Sequence, residues 1–146
     1  MLAPYVRGFI RASLVWLVVG IVVGLSMVFW PGDHLVYRPA HAHANLLGFV
    51  SMFIFGVAYH VLPRFVGRPL SGERWAMPHL WIQNVGLAAM VTGWFLRPTW
   101  WTPGQALLWI GGTLSAIGVG IFVTIAWRTT GARTNTEFTP PGQGND

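Results

Sequence analysis

Apolar and polar positions fall in long blocks along this chain. The first apolar block runs from about Phe9 to Trp30 and is closed by Pro31-Gly32. The second runs from about His41 to Leu62 and meets Pro63, and the third from about Pro78 to Leu96, ended by Arg97-Pro98. The fourth covers about Gly104 to Trp127. Each is close to the ~20 residues that a helix needs to cross the hydrocarbon core. Backbone groups in lipid must be satisfied within the segment, so such blocks predict helices. The connections are short, which favours antiparallel neighbours. The pattern therefore predicts an all-α, polytopic membrane protein: a four-transmembrane-helix, up-down-up-down bundle over residues 1–127. From Arg128 to Asp146 the chain is rich in Thr, Gly and Pro, which predicts a polar, flexible tail. Arg7 and Arg11 precede the first block as in a signal peptide, but the bulky end Met27-Val28-Phe29-Trp30 lacks a small-residue cleavage site. That block is expected to be a retained first helix.

Composition agrees with the pattern. Hydrophobic residues make up 53% of the 146 and charged residues only 9%, against about 25% in soluble domains. Nine tryptophans fit a chain with two membrane–water interfaces. All nine basic residues are arginines in short loops or flanks, which argues for membrane topology and against a nucleic-acid patch. Arg7, Arg11, Arg64, Arg68, Arg74, Arg128 and Arg133 fall on one side, and only Arg38 and Arg97 on the other. That bias predicts a multi-pass protein of the cell inner (cytoplasmic) membrane, with both termini cytoplasmic and His41 at the outer end of the second helix. Cysteine is absent, which excludes disulfides, thiolate metal sites, covalent c-type haem and iron–sulfur clusters. No Asp or Glu lies inside a block to couple protons, which argues against a small proton-driven transporter.

Candidate chemistry centres on histidine. His41-Ala-His43 sits at the mouth of the second block, where ionisable groups are costly unless partnered or functional. Imidazole is a common ligand for iron and copper. At about 100° per residue, His41 shares a face with Asn45, Gly48, Met52, Phe55, Gly56 and Tyr59. His43 lies nearly opposite, with Leu46, Leu47, Val50, Ile54, Val57 and Val61. Gly48 and Gly56 offer a shallow surface for a flat macrocycle, so His41 is the candidate axial haem ligand, with Gly48 and Met52 beside the ring. Arg38 and Arg97 are candidate partners for the anionic propionates. His34, His41 and His43 are the alternative, a set of nitrogen ligands for copper. His60 is 19 residues beyond His41, about 28 Å along a helix, and cannot share its iron. His60 and His79 are expected at the other interface, facing headgroups, and Gln83 and Asn84 are expected to bond between helices. Gly20 with Gly24, and Gly112 with Ala116 and Gly120, form small-residue rows. They are expected to pack within the chain, with a homodimer seam as the alternative.

From Arg38 to Gly72 these motifs form a recognisable series: His41-Ala-His43, Gly48-Phe49, a helix ending at Pro63, then Gly67-Arg68-Pro69 and Ser71-Gly72. The series resembles the NnrS family of haem- and copper-binding membrane proteins. It is similar to helix two of subunit I in haem-copper oxidases and nitric oxide reductases. The resemblance implies a small four-helix member of the haem-copper oxidase subunit I-like class, with His41 at the low-spin haem position by its distance from Pro63. It implies haem b and a role in respiratory electron transfer or in nitric oxide or oxygen binding. Those families have many more helices, and their full metal set needs more imidazoles than the five here. A complete oxidase or reductase from this chain alone is not expected. A second axial ligand would come from Met27, from a symmetry-related His41 in a homodimer, or from a partner in a larger respiratory complex. The other readings are a cofactor-free accessory or assembly subunit and a copper-binding membrane protein.

Overall fold

The structure, a computed structural model, describes residues 2–29 and 34–131, with the backbone alone for residues 34–36. The described residues are helical and contain no strand. Helix α1 spans Pro4–Phe29, α2 His34–His43, and α3 Met52–Val66, with a π-helical segment, Ala44–Ser51, joining α2 to α3. After a short 3-10 turn, Glu73–Trp75, come α4, Ala76–Leu96, and α5, Trp101–Thr130. Three helices are long and apolar enough to cross a membrane: Pro4–Phe29, Tyr37–Val66 and Trp101–Thr130. The more polar α4 carries Pro78, His79, Gln83 and Asn84 and packs most extensively against α5.

The helices run further than the apolar blocks predict. The second rod starts at His34 rather than His41 and passes through Pro39. Pro63 does not end it either. A proline lacks an N–H, but its carbonyl still accepts, and Pro63 O takes bonds from the backbone N–H of Gly67 and Arg68. The stop is Gly67, whose φ of 65° suits a residue without a Cβ. The fourth helix starts at Trp101 rather than Gly104 and continues past Trp127 to Thr130. Of the expected tail, residues 132–146 lie outside the described residues.

Close approaches set the registers. On α1, Gly20 faces Asn45, and a Cβ on Gly24 would stand 2.9 Å from Cε1 of His41. Gly56 of α3 seats on Phe9 and Ile10. On α5, Gly111 lies against Gly86 and Met90 of α4, and Gly118 lies against Gln83 and His79. These pairs make α1 antiparallel to the second rod and α4 antiparallel to α5. The small-residue row on α5 therefore divides. Gly111, Ser115 and Gly118 form the seam with α4, whereas a Cβ added at Gly112 or Gly120, expected to pack within the chain, would point into open space.

Two buried clusters fill the bundle. Val6, Phe9, Met52, Phe55, Tyr59, Leu70, Ala76, Leu80 and Ile125 pack at the end where the chain begins, the loop end. Val23, Ala40, Ala44, Leu87 and Val91 pack near His41, at the histidine end. Outside, α1 presents Leu14, Val15, Val18, Ile21, Val22 and Leu25, an apolar face suited to acyl chains rather than water. Exposed Trp100 and Trp101 stand at the histidine end and exposed Trp75 and Trp127 at the loop end, as interfacial belts would.

Candidate functional site

His41 and His43 leave the second rod in different directions, and both are half-buried. His41 turns towards α1, and its Nδ1–H donates to Gly20 O at 2.8 Å. A carbonyl only accepts, so this bond fixes the proton on Nδ1 and leaves the lone pair on Nε2. The Asn45 amide nitrogen is 3.2 Å from Nδ1 and 2.9 Å from His41 O. Because Nδ1 already carries a proton, that amide donates to the carbonyl. His43 has the same arrangement, its Nδ1–H donating to Pro39 O at 2.7 Å. Its ring lies beside Trp94 of α4, centroids 6.5 Å apart and planes at 30°. Further along the same face, Leu46, Val50, Ile54 and Val57 are exposed.

The arginines part company. Arg97 lies over Trp101 at 4.2 Å and Trp94 at 5.5 Å, a cation–π stack that continues to His43 rather than His41. Its Nε and Trp94 Nε1 are buried donors without a protein acceptor. Arg38 is exposed on α2. His34 opens α2, and its side chain lies outside the described residues. Among the described residues, no three His, Cys, Asp or Glu come together as a metal-holding group.

Gly48 and Met52 do share the buried face, but neither offers a surface to a macrocycle. A Cβ on Gly48 would stand 2.6 Å from Cβ of Trp16 and 2.8 Å from Cδ2 of Leu87. Met52 is fully buried among the loop-end core residues. Both serve the packing of α1 and α4, because glycine lets Trp16 reach across to Asn84, where its indole N–H donates to Oδ1 at 3.0 Å. The Gly48–Met52 wall is therefore closed to a macrocycle, and Nε2 is the one ring nitrogen of His41 left for a ligand. Met27, the within-chain candidate for a second ligand, stands about one turn beyond Gly24, over which the His41 ring lies.

A second polar cluster lies at the loop end, and the sequence pattern did not reveal it. His79, expected at the interface with His60, is fully buried. Its Nδ1 lies 2.8 Å from the hydroxyl of buried Tyr59. Phe9 and Phe55 flank the ring, with centroids at 4.8 and 4.9 Å. His79 Nε2, both polar atoms of the Gln83 amide and Ser115 Oγ are buried without a protein partner. Asn84 makes the expected interhelical bond, to Trp16, while Gln83 makes none. His60 stays half-buried one turn from Arg64, which bonds its ring and its carbonyl. The signal that could have found this site is the spacing His79-x3-Gln83 on α4, opposite Ser115-x2-Gly118 on α5.

The loop of the quoted series has a structural task. Arg68 Nε donates to Thr129 O at 2.7 Å, its terminal nitrogen bonds Gly131 O, and the Ser71 N–H donates to Thr129 Oγ1 at 3.0 Å. The two arginine bonds satisfy carbonyls at the end of α5, and the Ser71 bond ties the loop to the Thr129 hydroxyl. No family model, curated protein or solved structure matches this chain.

Proposed function

We propose that this chain is an integral membrane protein that binds haem b through His41 Nε2 at the outer rim, for respiratory electron transfer or for binding nitric oxide or oxygen. The observation that carries the reading is the bond from His41 Nδ1–H to Gly20 O. A carbonyl accepting from Nδ1–H fixes the tautomer, orients the ring and raises the basicity of the other nitrogen, as at many metal-bound imidazoles. Haem would supply one-electron redox chemistry or an open coordination position for a diatomic gas. The chain supplies the rest. Gly20 and Gly24 hold the imidazole against α1, Asn45 braces its backbone, and the Trp94–Arg97–Trp101 stack offers cationic donors at the same end. His41 and His43 face different helices, so one iron does not take both, and the second ligand is assigned to Met27, a second copy or a partner subunit.

The topology belongs to the same proposal. Helix α4 is read as a fourth span, a reading supported by its antiparallel packing along α5 from Gly93 beside Gly104 to Gln83 beside Gly118. With four spans both termini share one side, and the arginine bias of Arg7, Arg11, Arg64, Arg68, Arg74 and Arg128 supports the cytoplasm as that side.

The test is an optical spectrum of the purified protein from haem-replete cells, reduced and then exposed to nitric oxide, beside an elemental analysis. A Soret band lost in His41→Ala supports the reading. A colourless protein that retains copper selects the copper alternative, and one that retains neither but co-purifies with a reductase selects the accessory role.

A further inference from the structure

The outer face of α1 is not uniform. Gly8, Arg11, Ala12 and Val15 fall three or four residues apart in turn, so they form one stripe along the helix. The stripe borders α4, which runs parallel to α1. Gly8 lies against Leu80, and further along the Trp16 indole N–H reaches Asn84 Oδ1 at 3.0 Å. These two contacts are about 12 Å apart along α1, and Ala12, midway, carries only a methyl group. The result is a groove of about 410 Å³ between the helices, with Val15 on one wall and exposed Trp81 on the other.

The polar atoms of the groove are already engaged. Asn84 Oδ1 accepts from Trp16, and Asn84 Nδ2 donates to Leu80 O at 2.7 Å. A polar ring system would be poorly matched there, whereas a methylene chain needs only surface to touch. The setting beside the groove is different. Arg7 and Arg11 stand one turn apart on exposed positions of α1, a spacing at which like charges repel. Among the described residues neither guanidinium meets an acceptor. The one acidic side chain among them, Glu73, accepts the Tyr5 hydroxyl at 3.0 Å. Two free guanidiniums next to an apolar groove complement a phosphate joined to an acyl chain.

We propose that the groove between α1 and α4 is a lipid site, which seats one acyl chain of an anionic phospholipid and sets its phosphate against Arg7 and Arg11. The two parts of the site divide the work. The groove takes a chain of any phospholipid, because it reads only shape. The arginine pair selects the headgroup, because a zwitterionic lipid brings its own cation to the phosphate and an anionic one does not. Trp81 suits the boundary between the two, since indoles favour the membrane interface. The site needs α1 to cross the membrane with its two arginines at headgroup level. It does not depend on any ligand at His41.

The test is native mass spectrometry of the full chain released from nanodiscs made of equal parts phosphatidylglycerol and phosphatidylcholine with identical acyl chains. The expected result is a single retained lipid per chain, phosphatidylglycerol over phosphatidylcholine by about ten-fold or more. Arg11→Gln should cut that ratio about five-fold, the worth of one basic residue at an anionic surface. Ala12→Phe, which fills the groove, should remove the retained lipid, whereas Val22→Phe, on the exposed face of α1 away from the groove, should keep it. Wild-type protein that retains both lipids equally, or that emerges as a lipid-free dimer, overturns the proposal without any variant. A phosphatidylglycerol adduct that survives Ala12→Phe overturns the placement in the groove.

Discussion

The two ends of the bundle hold imidazoles in opposite ways. At the histidine end, His41 and His43 each give their Nδ1 proton to a backbone carbonyl of fixed position, Gly20 O and Pro39 O. Each is left with one defined lone pair on Nε2. At the loop end, His79 meets a hydroxyl that serves either direction of bonding, inside a box of Phe9, Phe55 and Tyr59. The difference is between a ring whose tautomer a carbonyl fixes and a ring whose partner serves either tautomer. Side-chain type alone does not separate them; the partner of Nδ1 does.

The largest effect that would break this comparison is at His41. His41→Ala should abolish the Soret band of haem-loaded protein, whereas His43→Ala weakens it less and His79→Phe leaves it intact, as read by absorbance per mole of protein. Equal loss in all three would remove the distinction. Next is Gly24→Leu, which places a branched side chain where the His41 ring lies against α1. Overpacking of this kind costs about 1–3 kcal/mol, and the band should fall with the thermal midpoint. His79→Phe should lower stability by about 1–3 kcal/mol, since it leaves the buried Tyr59 hydroxyl without its partner. If the His79 setting were merely aromatic packing, a denaturation curve would show no loss. Smallest is Arg68→Gln, which removes the side-chain donors to Thr129 O and Gly131 O. It should cost about 1 kcal/mol, seen as faster amide exchange confined to the last turn of α5.

The helices were legible because lipid imposes one rule on every span, and the apolar blocks record it. Their ends were less so. Pro63 read as a boundary, yet proline removes only a donor, and Gly67 with its left-handed backbone makes the real stop. The rim was half legible. Periodicity put His41 on the buried side, together with Gly48 and Met52, but it could not say that Trp16 and Leu87 fill the space beside Gly48. His79 was misread because periodicity within one helix carries no information about which neighbour supplies a phenol. Tyr59 is twenty residues away in the chain, and only the packing of α3 and α4 on α1 and α5 brings its hydroxyl to Nδ1. The glycines of α5 failed for the same reason: Gly111 and Gly112 are adjacent in sequence, and only the seam with α4 decides which of them faces a helix.

The winding of the second rod has one more consequence. Between His43 and Met52 the turns are π-helical, and Ser51 Oγ reaches back five residues to Leu46 O. Each such turn carries surplus length, and π segments of this sort gather at working sites. Tightening that stretch by a single residue would swivel both rim imidazoles about the rod's axis while Met52, Phe55 and Tyr59 stayed seated. The compass bearing of the two imidazoles is thus geared to how loosely eight residues coil, and a one-residue deletion there would re-aim both with no change to either side chain.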